Sequence, residues 1–299
     1  MALDLNDKLV VGISSRALFD LEEENRIFEE QGLDAYEEYQ IEHESDVLRP
    51  GTAFPLVKAL HNLNCGDQRL TEIIVMSKNS ANTSLRIFNS IEHYGLDISR
   101  AALVGGASIA PYLADFKTDL FLSADEADVQ EAINANIAAG IICSHEALPI
   151  DPAQEIKQIR IAFDGDAVIF SDEAEKIFQE QGIEGFTEHE RKNVLKPLPE
   201  GPFAKLLKTI SLVQQKFPED EMPIRTALVT ARNAPAHERV IRTLRAWNVR
   251  INESFFLGGI SKSEVLKSFG AHIFFDDQTV HTEPASKAVP AARVPYKSK

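Results

Sequence analysis

The sequence is poor in cysteine, in positive charge and in long apolar runs, and each shortage removes a class of protein. Only two cysteines, Cys65 and Cys143, occur in 299 residues. Each lies in or beside an apolar run without metal-ligand spacing, so both read as buried structural thiols and no disulfide framework is expected. Lysine and arginine total 31 against 46 aspartate and glutamate, a formal charge of −15. So acidic a chain is repelled by nucleic-acid polymers and anionic membrane surfaces. A small phosphate ester is still admissible, because one local site can be electropositive or metal-bearing. No stretch approaches the roughly 18 consecutive apolar residues of a membrane span. The N-terminal MALDLNDKLVVGI lacks a basic region ahead of a long apolar run, so no secretory leader is expected and the protein reads as cytoplasmic.

What remains is ordinary globular composition, 44% hydrophobic and 26% charged, in a chain long enough for two domains. Strand-like runs at KLVVGI (8–13), EIIVM (72–76), AALVGG (101–106), TDLFLSAD (118–125) and GIIC (140–143) alternate with helical stretches. Alternation of this kind predicts an α/β fold with a parallel sheet and helices on both faces. The order then recurs. IFEEQGL at 27–33 matches IFQEQGI at 177–183 in five of seven positions, at an offset of 150. At an offset of 153, IIVMS (73–77) faces TALVT (226–230), LVGG (103–106) faces FLGG (256–259), and DLFLSA (119–124) faces HIFFDD (272–277). Collinear matches at so long a period point to a duplicated domain rather than a solenoid. Two tandem Rossmann-like domains are expected, residues 1–150 and 151–299, divided near SHEALPIDPAQE (144–155).

The richest chemistry lies in IRIAFDGDAVIFSD (159–172). Ile159, Ile161 and Phe163 alternate as in a strand, which ends at Asp164-Gly165-Asp166. An Asp/Gly turn is common, but so is a ligand site at the carboxyl end of a strand in an open α/β sheet. The repeat separates these readings. The second half carries Asp164, Asp166, Thr230, Lys262, Asp276 and Asp277, where the first carries Ser14, Arg16, Ser77, Ile109, Ser123 and Ala124. Every carboxylate is missing from one copy while the apolar strands persist, which favours a site in the second half and a first half that is catalytically degenerate. Carboxylates at two strand ends suit Mg²⁺, which binds through one or two carboxylates plus substrate phosphate. An Asp can also attack phosphorus, and a hydroxyl (Thr230) and an ammonium (Lys262) can hold phosphate oxygens.

DGDAV after an apolar strand, LVTAR, a downstream lysine and FFDD resemble the four motifs of the haloacid dehalogenase superfamily of phosphatases. AFDGDAVIFSDE, ALVTAR, HIFFDDQ, YQIEHE and FNSIEHYGLDISRA more narrowly resemble the cytosolic 5′-nucleotidase type I family, across almost the whole chain. The resemblance implies haloacid-dehalogenase-like domains and Mg²⁺-dependent hydrolysis of nucleoside 5′-monophosphates, AMP-like substrates first, through an aspartyl-phosphate. It implies Asp164 as nucleophile and metal ligand, and Asp166 as general acid/base with its backbone carbonyl on the metal. Thr230 and Lys262 would then bind phosphate, with Asp276 and Asp277 at the metal.

Lys267 is a second candidate for the lysine role, but it sits by a helix end where solvated lysines are common. Arg232 reads equally as a phosphate ligand or an exposed arginine at a helix start. Residues 172–200 read as a small helical insert, and the resemblance implies that it caps the site and helps select substrate. Glu42-His43-Glu44 and Glu188-His189-Glu190 read as polar helix faces, since no third metal ligand is spaced with them. Phe178, Phe186 and Trp247 read as core, and Asn79 and Arg86 are open as base-recognition residues. The tail from Tyr296 is expected to fray. Two rival functions stay open: the same chemistry, hydrolytic or phosphotransferase, on another small phosphate ester, and non-catalytic nucleotide binding. A homo-oligomer is open as well.

Overall fold

The computed structural model describes residues 4–64, 69–143 and 150–296. Cys65, and residues 144–149 of the expected domain boundary, lie outside the described residues.

Among the described residues ten strands form one sheet: β1 (Leu9–Ile13), β2 (Thr71–Ser77), β3 (Arg100–Leu103), β4 (Leu120–Ser123), β5 (Ala138–Ile142), β6 (Ile159–Phe163), β7 (Ile224–Thr230), β8 (Glu253–Phe256), β9 (Ile273–Asp276) and β10 (Ala291–Arg293). Their spatial order is β3-β2-β1-β4-β5-β10-β9-β6-β7-β8. Read outward from the middle, the two halves carry the same strand order. All pairings within a half are parallel, and the halves meet through the antiparallel pair β5–β10, with Ala292 opposite Ile142. That seam departs from the all-parallel expectation. Only three residues form β10, directly after Pro290, too few for a period-2 signal.

Central strands are buried along their whole length, as in β1 (LVVGI) and β2 (TEIIVMS). Near-continuous apolar strands are what a parallel sheet covered on both faces requires. Beneath β6 and β9, Phe163, Phe203 and Phe275 are fully buried. Phe163 stacks on Phe275 at 5.6 Å between ring centroids, and Phe203 meets Phe275 at 4.8 Å. At roughly 1.5–3 kcal/mol for each buried ring, this cluster anchors the strand ends that carry the acidic residues.

The polar stretch after β1 folds as helices Glu22–Gln31 and Leu33–Glu42, broken at Gly32 with φ +88°. Its counterpart after β6 is helix Glu173–Lys192, kinked at Gly182 with φ +68°. The strand exits are fixed by a second glycine pair. Phe19 bridges Pro50 and Phe170 bridges Glu200, bringing Gly51 and Gly201 against backbone. A Cβ on Gly201 would lie 2.3 Å from the Phe170 carbonyl oxygen. Backbone cannot yield as a side chain does, so Gly201→Ala is expected to cost about 3 kcal/mol, the upper end for overpacking. Urea unfolding measures this, and an unchanged midpoint would refute the close approach.

Candidate active site

The carboxyl edge of β6, β7 and β9 assembles the site. Asp164 follows β6 directly, and its backbone N–H donates to the Phe275 carbonyl at 2.8 Å, locking it beside β9. A turn then forms over Gly165–Ile169, with Ala167 in the left-handed region at φ +60°. Asp276 ends β9, with Asp277 next in the chain. Asp164, Asp276 and Asp277 are all buried, and each offers one ligand oxygen within 4.8 Å of the others. Lys262, the first residue of helix Lys262–Phe269, is 5% exposed. Its Nζ donates to Asp164 Oδ1 and Asp276 Oδ2, each at 2.6 Å. Lys267 is exposed in the last turn of that helix, away from the cluster.

One ammonium cannot neutralise three buried carboxylates, and the titration behaviour reflects this. Burial pushes Asp164 up to about 7 against the pull of Lys262, with Asp276 and Asp166 adding like charge. Burial lifts Asp276 to about 6, opposed by Lys262. It lifts Asp277 to about 7, with the Asp164 charge next in importance. Burial also opposes the Lys262 charge, but Asp164 and Asp276 more than offset it, and its pKa is raised. A hard divalent cation would relieve this excess of negative charge. Asp277 gives a direct test of fit. Its Oδ2 accepts from the Tyr296 hydroxyl at 2.5 Å, while its Oδ1 is buried without a hydrogen-bond partner. An orphaned carboxylate oxygen in a buried group of three carboxylates fits a ligand position for such a cation.

Thr230, at the end of β7, is 1% exposed, and its Oγ1 accepts the Arg232 backbone N–H at 3.2 Å. It lies over the turn, 3.4 Å from where a Cβ on Gly165 would stand. Asp166 and Arg232 are joined to each other. Arg232 Nε donates to Asp166 Oδ2 and Nη2 to Oδ1, both at 2.7 Å. Its Nη1 donates to Glu190 Oε2 at 2.6 Å and to the Ala236 carbonyl at 3.5 Å. Arg232 is therefore not the exposed arginine that its sequence position allows. It is 5% exposed, its guanidinium is committed to two carboxylates, and Phe186 lies under it at 5.3 Å.

Glu190 overturns the expectation of a polar helix face. It is 2% exposed and also accepts from Arg239 Nη1 at 2.8 Å. Glu42 and Glu44 in the first half are exposed, as expected. Arg239 matches Arg86 at the 153 offset, and Arg86 is likewise buried on a carboxylate, Glu24, at 2.6 Å. Two arginines in register were a legible signal; their partners come from different points of the helical segments and were not. Glu190→Gln leaves Arg239 and half of Arg232 facing an amide, and breaking a buried pair costs about 3–5 kcal/mol. Chemical denaturation of this variant should show that loss, and wild-type stability would contradict it.

Two further expectations are corrected. Tyr296 is tied down through Asp277, and its carbonyl accepts from Gln130 at 2.8 Å, so the chain is anchored there; residues 297–299 lie outside the described residues. Phe178 is 45% exposed, whereas Phe186 is buried and Trp247 packs on Phe170 at 5.6 Å. Cys143 is a free, half-buried thiol whose pKa burial raises.

The chain matches the profile of a family described as 5′-nucleotidase over residues 1–299. It is 40% identical over 295 aligned residues to the human (Homo sapiens) protein named Cytosolic 5′-nucleotidase 1B, covering 93% of this chain and 47% of that protein. The chain thus spans about half the length of the curated relative it matches.

Proposed function

Because the chain belongs to the 5′-nucleotidase family, we propose that it hydrolyses nucleoside 5′-monophosphates to nucleoside and phosphate. The observation that supports this most is the buried cluster of Asp164, Asp276 and Asp277 around Lys262 at one sheet edge. Asp164 would attack phosphorus through its carboxylate, with the bond from phosphorus to the 5′ oxygen breaking as the aspartyl-phosphate forms. Asp166 would give a proton to that leaving oxygen, then take one from the water that releases phosphate and regenerates Asp164. Both carboxylate oxygens of Asp166 accept from Arg232, so proton donation requires the side chain to turn from Arg232 toward the leaving group. Thr230 and Lys262 would hold the non-bridging oxygens, while Arg232 would position Asp166 rather than bind phosphate in this arrangement.

Mg²⁺ is the cation this donor set suits, and Asp164, Asp276, Asp277 and the Asp166 carbonyl would hold it. When bound it would supply charge neutralisation and polarise the phosphate. Chelation with EDTA is expected to lower phosphate release from AMP by about 100-fold or more, and added Mg²⁺ to restore it. Undiminished turnover in EDTA would remove the metal from the scheme. A panel of phosphate esters with inorganic-phosphate readout tests the substrate class, and preference for a non-nucleotide ester would overturn it.

The same reading takes residues 1–150 and 151–299 as two copies of one haloacid-dehalogenase-like domain, the first without catalytic carboxylates. The matching strand orders of the two sheet halves support it. The helix Glu173–Lys192, which carries the buried Glu190 in its last turn, would act as the cap. A cytosolic setting is proposed from the relative's name, and no helix among the described residues is long and apolar enough to cross a membrane.

A further inference from the structure

A cavity of about 510 Å³ opens in the first half of the sheet, not beside the acidic cluster. Its floor is the carboxyl edge of β1, β2 and β4, where Ser14, Ser77 and Ser123 stand as Asp164, Thr230 and Asp276 do in the second half. No carboxylate ends these strands, so the floor offers hydroxyls; Ser15 and Ser77 share a hydrogen bond at 3.2 Å. Of the four acidic residues in its lining three are already paired, and the fourth, Glu37, is half-buried on the helical wall. Glu24 is held by Arg86 at 2.6 Å, and Asp125 and Asp128 by Lys78 at 3.2 and 2.8 Å. Two donors are left over. Arg16 Nε and Asn79 Nδ2 are buried with no hydrogen-bond partner, and both can only donate. A ligand that satisfies them must bring acceptor oxygens.

The opposite wall is apolar, built from Leu21, Phe28, Leu33 and Tyr36. Phe28 and Leu33 are 48% and 56% exposed, and Phe28 meets Tyr36 edge-on at 5.9 Å. Exposed aromatic surface at the rim, with orphan donors on the floor, fits a flat base at one end of a ligand and a phosphate at the other. The volume lies within the roughly 300–1,000 Å³ of small-molecule sites.

We propose that this cavity is a second binding site, which holds an intact nucleoside monophosphate without metal and without turnover. The inference rests on the proposed function only for its choice of nucleotide.

Equilibrium dialysis of AMP against the full chain in EDTA tests it. The expected result is one bound AMP per chain, with affinity lowered at least 10-fold by Arg16→Ala or Asn79→Ala and unchanged by Asp164→Asn. Arg16 is one-third exposed at its side chain, so its loss leaves the fold intact. Photolabelling with an azidoadenine monophosphate provides a second readout and should mark residues 21–39. Absence of binding in EDTA, wild-type affinity in both first-half variants, or label confined to 173–200 would each overturn the proposal. Inorganic phosphate binding as tightly as AMP would also overturn it, as an anion site with no base pocket. Phosphate release by Asp164→Asn reports separately on the proposed hydrolysis, so the two readings fail independently.

Discussion

Asp164→Asn should lower phosphate release from AMP at least about 1,000-fold, equivalent to about 4 kcal/mol of barrier, while the protein stays folded. The amide keeps the shape of the carboxylate but cannot attack phosphorus. Stability should survive because Lys262 retains Asp276 at 2.6 Å and the cluster loses one of its crowded negative charges. Relief of like-charge repulsion offsets the lost ion pair. Inorganic-phosphate release and thermal unfolding, measured on one preparation, separate the two effects. Turnover at the wild-type rate would move the nucleophile elsewhere, and collapse of the fold would show that Asp164 is structural.

Lys262→Met should fail differently, in stability as well as in turnover. Removing the ammonium leaves Asp164 and Asp276 buried beside Asp277 without their shared partner. Loss of one member of a buried pair costs about 3–5 kcal/mol. Burial already pushes Asp164 up to about 7, and loss of the lysine drives it higher, so a smaller fraction is ionised and able to attack at neutral pH. A fall in turnover of about 100-fold or more is expected, as for loss of one transition-state donor. Added Mg²⁺ should raise the melting temperature of this variant more than that of the wild type, since the cation meets uncompensated carboxylates. Equal stability of the two proteins in chelator would contradict the electrostatic account.

Much of the fold was legible because its signals are local. Apolar runs marked most of the strands, and the strand order that the two sheet halves share is spelled out by no local signal. The strand ends also marked Asp164, Asp276 and Asp277, which the fold does bring together, with Lys262 between them. What escaped depends on pairs distant in sequence. Arg232 meets Asp166 across 66 positions and Glu190 across 42, and no periodicity encodes either contact. Glu190 reads as one more acidic residue on a polar helix until Arg232 and Arg239 are seen to face it. Tyr296 escaped because a polar tail carries no sign that a carboxylate 19 positions earlier holds its hydroxyl. The short β10, which joins the halves, needs its neighbours to be recognised as a strand at all.

The most direct test of the account is to stop the reaction halfway. Asp166→Asn removes the group proposed to protonate the leaving 5′ oxygen and to activate water, so the acyl-phosphate should form slowly and be hydrolysed more slowly still. After mixing with AMP and Mg²⁺ and quenching in acid, peptide mass spectrometry should find one phosphoryl group, labile to hydroxylamine, on Asp164. A phosphoryl group on any other residue, or phosphate released by this variant at the wild-type rate, would contradict it.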